Sequence, residues 1–240
     1  MQSAAFAALG LDHTYELADV PPYRLHGMVR LLRSRAFLGA NVTVPYKRDV
    51  IADLNQIDEV AKRVGAVNTI TKVGGRLIGF NTDVPAIRDE IRRFRSAPRA
   101  AVILGAGGAA RAVAIALSEM GAAEPVMVSR ATWSELPRLL ATADLLVNAT
   151  PVGTSADETP VPAALLHANL AVLDLVYQPS PTRLVREARE CGLPARAGAG
   201  VLLGQGWRSL EAWLGRPVPE HVKAAMADAL GRELGEGADV

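Results

Sequence analysis

Residues 101–111 have the sequence Ala101-Val-Ile-Leu-Gly-Ala-Gly-Gly-Ala-Ala-Arg111. The four apolar residues at its start predict a short strand buried in a parallel sheet. Gly105, Gly107 and Gly108 then allow the backbone to turn sharply and to approach a ligand closely. The alanine-rich residues 109–120 predict a helix. Together these features indicate a dinucleotide-binding corner, because the N–H groups at a helix N-terminus attract a pyrophosphate.

The glycine pattern is G-x-G-x-x-A, with Ala110 in the third position. Alanine is compatible with that position, which only sets how closely the helix packs on the strand. The alternative is an ordinary α/β turn with additional glycines. The strand before the glycines and the helix after them favour the dinucleotide site.

Two further segments bear on the choice of cofactor. The predicted second strand, Pro125–Ser129, is followed by Arg130, whereas an NAD site places a carboxylate there to bind the ribose hydroxyls. An arginine binds a 2′-phosphate through charge-assisted hydrogen bonds, so we predict NADP; the alternative is a solvated surface arginine. Asn148 and Thr150 follow the predicted third strand, Asp144–Val147, and either bind the cofactor or cap their own turn.

The composition excludes several classes of protein. The chain has 240 residues, of which 50% are hydrophobic, and a net charge of +1, which indicates neither a nucleic-acid partner nor a membrane surface. No apolar run reaches the roughly 18 residues of a transmembrane helix, and the residues after Met1 do not resemble a secretory signal. The single cysteine, Cys191, excludes an internal disulfide framework and is typical of the reducing cytoplasm. We expect a cytoplasmic protein without a metal site.

Strands and helices alternate along the chain, which predicts an α/β fold with parallel sheets. The first half is predicted to contain a helix at residues 2–9, a strand at 14–18, a helix from 21 to 35, a strand at 39–44, one or two helices within 47–64, a hairpin of 66–73 with 76–80, and a helix at 83–95. A linker at residues 96–98 leads into the central strand. The last predicted elements are a strand at 171–177 and helices at 182–191, 201–214 and 220–234.

Polar residues stand at the ends of predicted strands in the first half, where apolar or turn residues are expected. They are Asn41, Thr43, Lys47, Asn68, Asn81, Thr82 and Asp83. A lysine in such a place is usually a solvated charge. If Lys47 instead faces Asp83 in a cleft, each stabilises the charged form of the other, and a proton can move to a carbonyl oxygen. Composition alone does not decide between these interpretations.

Seven short motifs follow one another over nearly the whole chain. They are Asn41-Val-Thr-Val-Pro-Tyr-Lys47, Gly65-Ala-Val-Asn-Thr69, Gly79-Phe-Asn-Thr-Asp83, Gly105-Ala-Gly-Gly-Ala-Ala-Arg111, Asn148-Ala-Thr150, Asp174-Leu-Val-Tyr-Gln-Pro179 and Gly204-Gln-Gly206. In this order they resemble the motifs of the shikimate dehydrogenase family; each alone is modest, and their combination is highly specific. The resemblance implies reversible NADP-dependent reduction of 3-dehydroshikimate to shikimate, in aromatic amino-acid biosynthesis.

The resemblance also implies roles for individual residues. Lys47 would be the catalytic acid/base and Asp83 its partner. The implied substrate contacts are Thr43, Asn68, Asp83, Tyr177 and Gln205. The implied cofactor contacts are Gly105, Ala106, Gly107, Gly108, Ala109, Ser129, Arg130, Asn148, Ala149, Thr150, Val176 and Gly198.

The implied fold has two α/β domains. Residues 1–82 and 200–240 would form the substrate-binding catalytic domain, and residues 83–199 a Rossmann-like NADP-binding domain. The C-terminal helices would return to the first domain. The expected partners are the small-molecule substrate and NADP, and the expected assembly is a monomer or a homodimer.

Three features depart from the family pattern. The family's opening strand and Ser-x-Ser segment, which binds the substrate carboxylate, have no counterpart in this sequence. Ser134 stands where a second basic residue usually binds the 2′-phosphate, so we expect a weaker preference for NADP. Residues 132–143 are shorter than the family's equivalent, so we expect one strand fewer in the NADP-binding domain.

These departures leave three hypotheses. The first is a working shikimate dehydrogenase whose start codon lies further upstream, or whose carboxylate anchor is replaced. The second is a catalytically impaired paralogue that binds a nucleotide or a small acid. A quinate-using dehydrogenase is the third. The presence of Lys47, Asp83 and Gln205 favours the first.

Overall fold

The computed structural model describes residues 1–95 and 98–235. The described residues form two compact units, the first comprising Met1–Thr82 and Gln205–Met226, the second Asp83–Gly204 and the residues from Ala227 onward. The second segment of the first unit is therefore shorter than the residues 200–240 of the predicted domain. The predicted linker at 96–98 lies mostly outside the described residues, as do the last five residues of the predicted C-terminal segment.

The first unit contains a four-stranded mixed sheet with short helices. Its elements are α1 (Gln2–Ala8), α2 (Leu25–Leu31), β1 (Gly39–Asn41), β2 (Gln56–Ile57), α3 (Glu59–Val64), β3 (Thr69–Val73) and β4 (Arg76–Phe80), with 3₁₀ helices at Pro22–Arg24 and Asp49–Asp53. The strand order is β1-β3-β4-β2. The buried side chains of α2 and α3, with Ile70 and Leu77 of the hairpin, form its core.

The expectation of parallel sheets is wrong for this unit. β3 pairs antiparallel with both β1 and β4, and only β2 and β4 are parallel. The predicted hairpin explains the difference, because the two glycines between β3 and β4 form a connection far too short for a parallel crossover.

The predicted strand at residues 14–18 is also wrong. Residues 11–21 belong to no helix or strand, and the side chain of Leu17 is 97% exposed. The alternating pattern was misleading because a strand persists only where a neighbouring strand completes its hydrogen bonds. The strand predicted at 39–44 ends already at Asn41, since the chain enters a turn before Pro45.

The second unit is a parallel α/β sheet of Rossmann-like form. Its elements are α4 (Asp83–Arg92), β5 (Ala101–Leu104), α5 (Gly108–Glu119), β6 (Val126–Val128), α6 (Leu136–Leu140), β7 (Leu145–Asn148), β8 (Ala171–Asp174), α7 (Arg183–Glu190) and β9 (Ala195–Arg196). The strand order is β6-β5-β7-β8-β9, and every neighbouring pair is parallel. The central strand β5 is buried throughout, as its apolar sequence predicts. The predicted fold class is confirmed.

Two helices complete the chain, α8 (Ala199–Leu214) and α9 (Glu220–Leu234). Each contributes residues to both units. In the first unit, Trp213 of α8 donates from Nε1 to the carbonyl of Ile70 at 3.0 Å. A β-carbon on Gly39 would lie only 2.4 Å from the Trp213 ring, so a glycine is required where α8 crosses β1. Among the described helices, none has both the length and the apolar character to cross a bilayer.

Candidate active site

Asn68 organises the predicted substrate residues of the first unit. It lies just before β3, is buried, and accepts a hydrogen bond at Oδ1 from the backbone N–H of Thr82 at 2.9 Å. Its Nδ2 donates to the Thr82 hydroxyl, also at 2.9 Å. The oxygen and the nitrogen of the amide therefore both fix the position of Thr82, the residue directly before Asp83.

The turn that carries Thr43 and Lys47 is held beside Asn68 by backbone bonds. The N–H of Val42 donates to the Asn68 carbonyl at 2.8 Å, and the N–H of Val67 donates to the Lys47 carbonyl at 2.7 Å. The Tyr46 hydroxyl donates to the Val20 carbonyl at 2.6 Å, which ties the turn to residues 11–21, outside any helix or strand. The structure thus brings the segments of Thr43, Lys47 and Asn68 together within one unit.

A network of hydroxyl and amide groups extends from Asn68 to helix α8. The Thr69 and Ser209 hydroxyls lie 2.8 Å apart, and Ser209 donates to the Gln205 carbonyl at 2.9 Å. Asn41 donates from Nδ2 to the Ser209 oxygen at 2.9 Å, and the Tyr15 hydroxyl donates to Asn41 Oδ1 at 3.0 Å. Partial burial raises the pKa of the Tyr15 hydroxyl above its usual value.

Sequence reasoning missed three members of this network, Tyr15, Ser209 and Thr69. Ser209 had a usable signal, because it is a buried polar residue one helical turn after Gln205 and therefore lies on the same helix face. Thr69 looked like an ordinary β-branched strand residue. Its role depends on a contact with a residue 140 positions away.

Asp83 and Tyr177 belong to the second unit. Asp83 is the first residue of α4, and the Tyr177 side chain, three residues after the end of β8, is 42% exposed. Lys47 and Asp83 thus lie in different units. Their pairing stays a prediction.

The glycine turn after β5 has the features of an anion site. Gly105 has φ +112, and a β-carbon there would lie 3.0 Å from the Ala149 carbonyl oxygen. Gly107 is the N-cap of the 12-residue helix α5 and makes no side-chain cap to its first turn. Residues 106–109 are exposed. The predicted cofactor residues Ala106, Gly107, Gly108 and Ala109 therefore present an open helix N-terminus, which is compatible with a pyrophosphate.

The end of β6 carries the predicted 2′-phosphate site. The Ser129 N–H donates to the Thr132 hydroxyl at 3.0 Å in a capping box that starts a 3₁₀ helix, and Arg130 is the first residue of that helix. The Arg130 side chain is exposed, and residues 129–134 contain no carboxylate. A cationic side chain in a segment without a carboxylate fits a phosphate-bearing ribose. All residues from Ser129 to Asp144 are described, and they form no strand.

Asn148, predicted to bind cofactor or cap its turn, uses its side chain for the turn. Its Oδ1 accepts from the Thr150 N–H at 3.0 Å and from the Thr150 hydroxyl at 2.6 Å. Its Nδ2 donates to the Val152 carbonyl at 3.2 Å and to Asp174 Oδ1 at 2.8 Å. Any contact of the Asn148–Thr150 loop with a ligand therefore depends on Ala149, the backbone and Thr150.

Asp174, the last residue of β8, organises the neighbouring strand ends. Its side chain is fully buried and accepts from Asn148, from the Val176 N–H at 3.0 Å, and from the Thr182 hydroxyl at 2.7 Å. Burial raises the pKa of Asp174 to about 6, and its three donors act in the opposite direction. The sequence contains one signal for this role. A carboxylate directly follows the apolar residues Ala171–Leu173 of a buried strand, where an apolar residue is expected.

Gly198 meets the same strand end from the other side. Its N–H donates to the Val176 carbonyl at 3.0 Å. A β-carbon on Gly198 would lie 2.3 Å from the Leu175 carbonyl oxygen, so no other residue permits this approach. Asp174 and Gly198 together fix Val176. The described residues hold no group of three or more histidine, cysteine, aspartate or glutamate side chains that could bind a metal ion.

Comparison with known proteins identifies the family. The sequence model described as "Shikimate dehydrogenase substrate binding domain" matches residues 1–70. The Shikimate dehydrogenase (NADP(+)) of Symbiobacterium thermophilum is 40% identical over 257 residues, covering 95% of this chain and 87% of that protein. The one from Natronomonas pharaonis is 41% identical, covering 96% and 93%.

A solved structure agrees with these sequence matches. A shikimate 5-dehydrogenase from Thermus thermophilus, in complex with NADP(H) and shikimate, superposes with a TM-score of 0.86 at 37% identity, covering 98% of this chain and 93% of that one. Membership of the same family also accounts for the parallel sheet of the second unit and for the order of the seven sequence motifs. The chain belongs to the shikimate dehydrogenase family.

Proposed function

We propose that this chain catalyses the reversible NADP-dependent reduction of 3-dehydroshikimate to shikimate, a step in aromatic amino-acid biosynthesis. The observation that carries the proposal is the likeness, over 98% of the chain, to an enzyme bound to NADP(H) and shikimate. The geometry of each unit supports it independently. The first unit holds polar groups around Asn68, and the second holds an open glycine turn at α5.

The second unit, in this proposal, binds NADP. The residues present fit the cofactor, because α5 has an uncapped and exposed N-terminus for the pyrophosphate, and Arg130 offers a cation for the 2′-phosphate. Asp174 and Gly198 hold Val176 at the adjoining strand end. The chemistry that the nicotinamide supplies is hydride transfer.

The first unit, with Asp83 and Tyr177, binds the substrate in this proposal. Thr43, Asn68 and Gln205 are polar groups suited to the hydroxyls of shikimate. The network through Thr69 and Ser209 holds the Asn68 side chain and the backbone of Gln205. Such fixed donors and acceptors lower the entropic cost of orienting the substrate.

Lys47 is the acid/base of the proposed reaction. In the direction of reduction, hydride addition to C3 turns the carbonyl oxygen into an alkoxide, and the Lys47 ammonium donates a proton to that oxygen. Asp83 orients the ammonium and stabilises its charged form. A positioned proton donor of this kind contributes roughly 10²–10⁴-fold to the rate.

The proposal is tested by steady-state assays that follow NADPH absorbance with shikimate and NADP, repeated with NAD and with quinate. We expect turnover with shikimate and NADP. We expect a lower kcat/KM when NAD replaces NADP, and also when quinate replaces shikimate. Binding of NADP or shikimate without turnover would instead support the impaired paralogue. A higher kcat/KM with quinate would support the quinate-using enzyme.

A further inference from the structure

Glu90 is a buried carboxylate to which the proposed reaction gives no role. It lies on α4 among the buried side chains of Val84, Ile87 and Ile91, and only 2% of it is exposed. An apolar residue at this position would complete the buried face of the helix. Because an unpaired carboxylate in such a place is strongly unfavourable, its partners must compensate the charge.

The compensating charges come from two arginines. Glu90 Oε1 accepts a hydrogen bond from Nε of Arg196, the last residue of β9, whose side chain is 25% exposed. On the other oxygen, Arg93 Nε of the next turn lies 3.5 Å from Glu90 Oε2. The pair between Glu90 and Arg196 spans 106 positions in sequence and joins α4 to the edge strand of the parallel sheet.

The same carboxylate lies directly against the first turn of α8. A β-carbon on Gly200, the second residue of that helix, would lie 2.5 Å from Glu90 Oε2 and 2.6 Å from its Cδ. Any larger residue at position 200 would force either the Glu90 carboxylate or this helix turn to move. The positive end of the α8 dipole also favours a carboxylate at this place. Glu90 therefore connects three elements of the second unit, namely α4, β9 and the start of α8.

Two of these elements carry proposed substrate residues. Helix α4 begins with Asp83, and α8 carries Gln205 five residues after Gly200. Asp83 and Gln205 also mark two boundaries between the compact units, because the chain passes from one unit to the other directly before each of them. Because Gln205 lies in the same helix, less than two turns after Gly200, a change in how α8 starts on α4 also changes the position of Gln205.

We propose that Glu90, through its ion pair with Arg196 and its contact with Gly200, is a positioning residue for shikimate binding. It holds the first turn of α8 on α4 and so sets the position of Gln205. The inference rests on the proposed function, because it assigns Gln205 to the substrate. It touches none of the residues proposed for the phosphates of NADP, which lie at the start of α5 and after β6. Gly198, the proposed cofactor residue that directly precedes α8, keeps its backbone bond to Val176.

The test compares Glu90→Gln with a matched control, Glu119→Gln. The first variant keeps the side-chain volume and removes the charge. The control breaks the ion pair of Glu119 with Arg88, 3.1 Å long, which ties α4 to α5 instead of α8. In Glu90→Gln we expect the KM for shikimate to rise about fivefold or more, with the KM for NADP changed less than about twofold. In the control we expect no selective rise for shikimate. Arg196→Lys, which keeps the positive charge, should give an intermediate KM for shikimate.

A second measurement does not depend on activity. Amide hydrogen exchange at residues 199–205 should become faster in Glu90→Gln and stay unchanged in Glu119→Gln. Should Glu90→Gln fail to fold, Gly200→Ala serves instead, since its methyl group would occupy the space of the Glu90 carboxylate and so disrupt the same contact. The proposal is overturned if exchange in this segment is unchanged, if both KM values rise equally, or if the control behaves like Glu90→Gln. A wild-type chain without shikimate turnover would contradict the proposed function, and the exchange data would still decide whether Glu90 holds α8.

Discussion

At the scale of single residues, the acid/base assignment rests on Lys47. Its carbonyl is tied to the Val67 N–H, so the backbone from which the ammonium extends is fixed beside Asn68. A lysine side chain is a flexible four-carbon stem, and a neighbouring charge is needed to direct it. Asp83 is the proposed source of that charge.

Replacing Lys47 by alanine should therefore lower kcat by roughly 10²-fold or more, with a much smaller effect on shikimate binding. Asp83→Asn should also slow turnover, because the amide keeps the shape but loses the charge. Since the two residues act as a unit, the double variant should be little worse than the more impaired single one. Steady-state kinetics at saturating shikimate and NADP measure these effects. Near-normal turnover of Lys47→Ala would show that another group moves the proton.

Asp174 should make the stability of the protein depend on pH. Its pKa is about 6 in the folded chain against an ordinary value of 3.8, so the folded state binds the proton more tightly than the unfolded one. The stabilisation that this carboxyl contributes is complete below pH 3.8 and is lost as the pH rises through 6.

Asp174→Asn removes this dependence while keeping an acceptor for Asn148 and Val176. Between pH 4 and pH 7, the unfolding free energy of the wild type should fall relative to that of the variant by about 2–3 kcal/mol. Urea unfolding followed by circular dichroism at several pH values measures the difference. Parallel pH profiles for the two proteins would show that Asp174 does not titrate in this range.

At the scale of elements, two glycines of the first unit illustrate opposite packing constraints. A β-carbon on Gly39 would lie 2.2 Å from the Ile70 carbonyl oxygen of β3 and 2.4 Å from the Trp213 ring of α8, so Gly39→Ala must displace β3 or α8. Gly27 lies exposed within α2, and a β-carbon added there would have no heavy atom within 4 Å. Gly39→Ala should cost about 1–3 kcal/mol of stability or more, whereas Gly27→Ala should add about 0.5–1 kcal/mol. Thermal unfolding of the two variants checks the signs, and equal shifts would refute the crossing described for α8 and β1.

Local patterns in the sequence predicted the elements whose signals are local. The β5–glycine–α5 corner and the β3–β4 hairpin follow from apolar runs and turn residues only a few positions apart. The two-residue strands β2 and β9 escaped prediction, because two residues form no pattern and their pairing comes from distant neighbours. The sequence pointed directly to Asn68 and Arg130. Ser209 and Asp174 each had a weak local signal, but the hydrogen-bond partners that define their roles lie far along the chain.

At the scale of the whole molecule, the proposal assigns cofactor and substrate to different units. NADP added without shikimate should slow amide exchange at residues 105–111 and 129–132, because the proposed phosphate contacts lie there. The hairpin of β3 and β4, in the first unit, serves as the internal control and should be unaffected. Protection confined to the hairpin would contradict the assignment of NADP to the second unit.

The discontinuity of the first unit has a consequence for biosynthesis. Its sheet is packed by α8, through the bond from Trp213 to Ile70 and the bond from the Thr71 hydroxyl to the Ala212 carbonyl at 3.0 Å. Those residues leave the ribosome only after the intervening residues 83–204, which belong to the other unit. The nascent chain therefore completes the parallel sheet of the second unit while the sheet of the first is still without its covering helix. Until residues 205–226 emerge, the apolar surface of the first sheet that α8 will cover is open to aggregation.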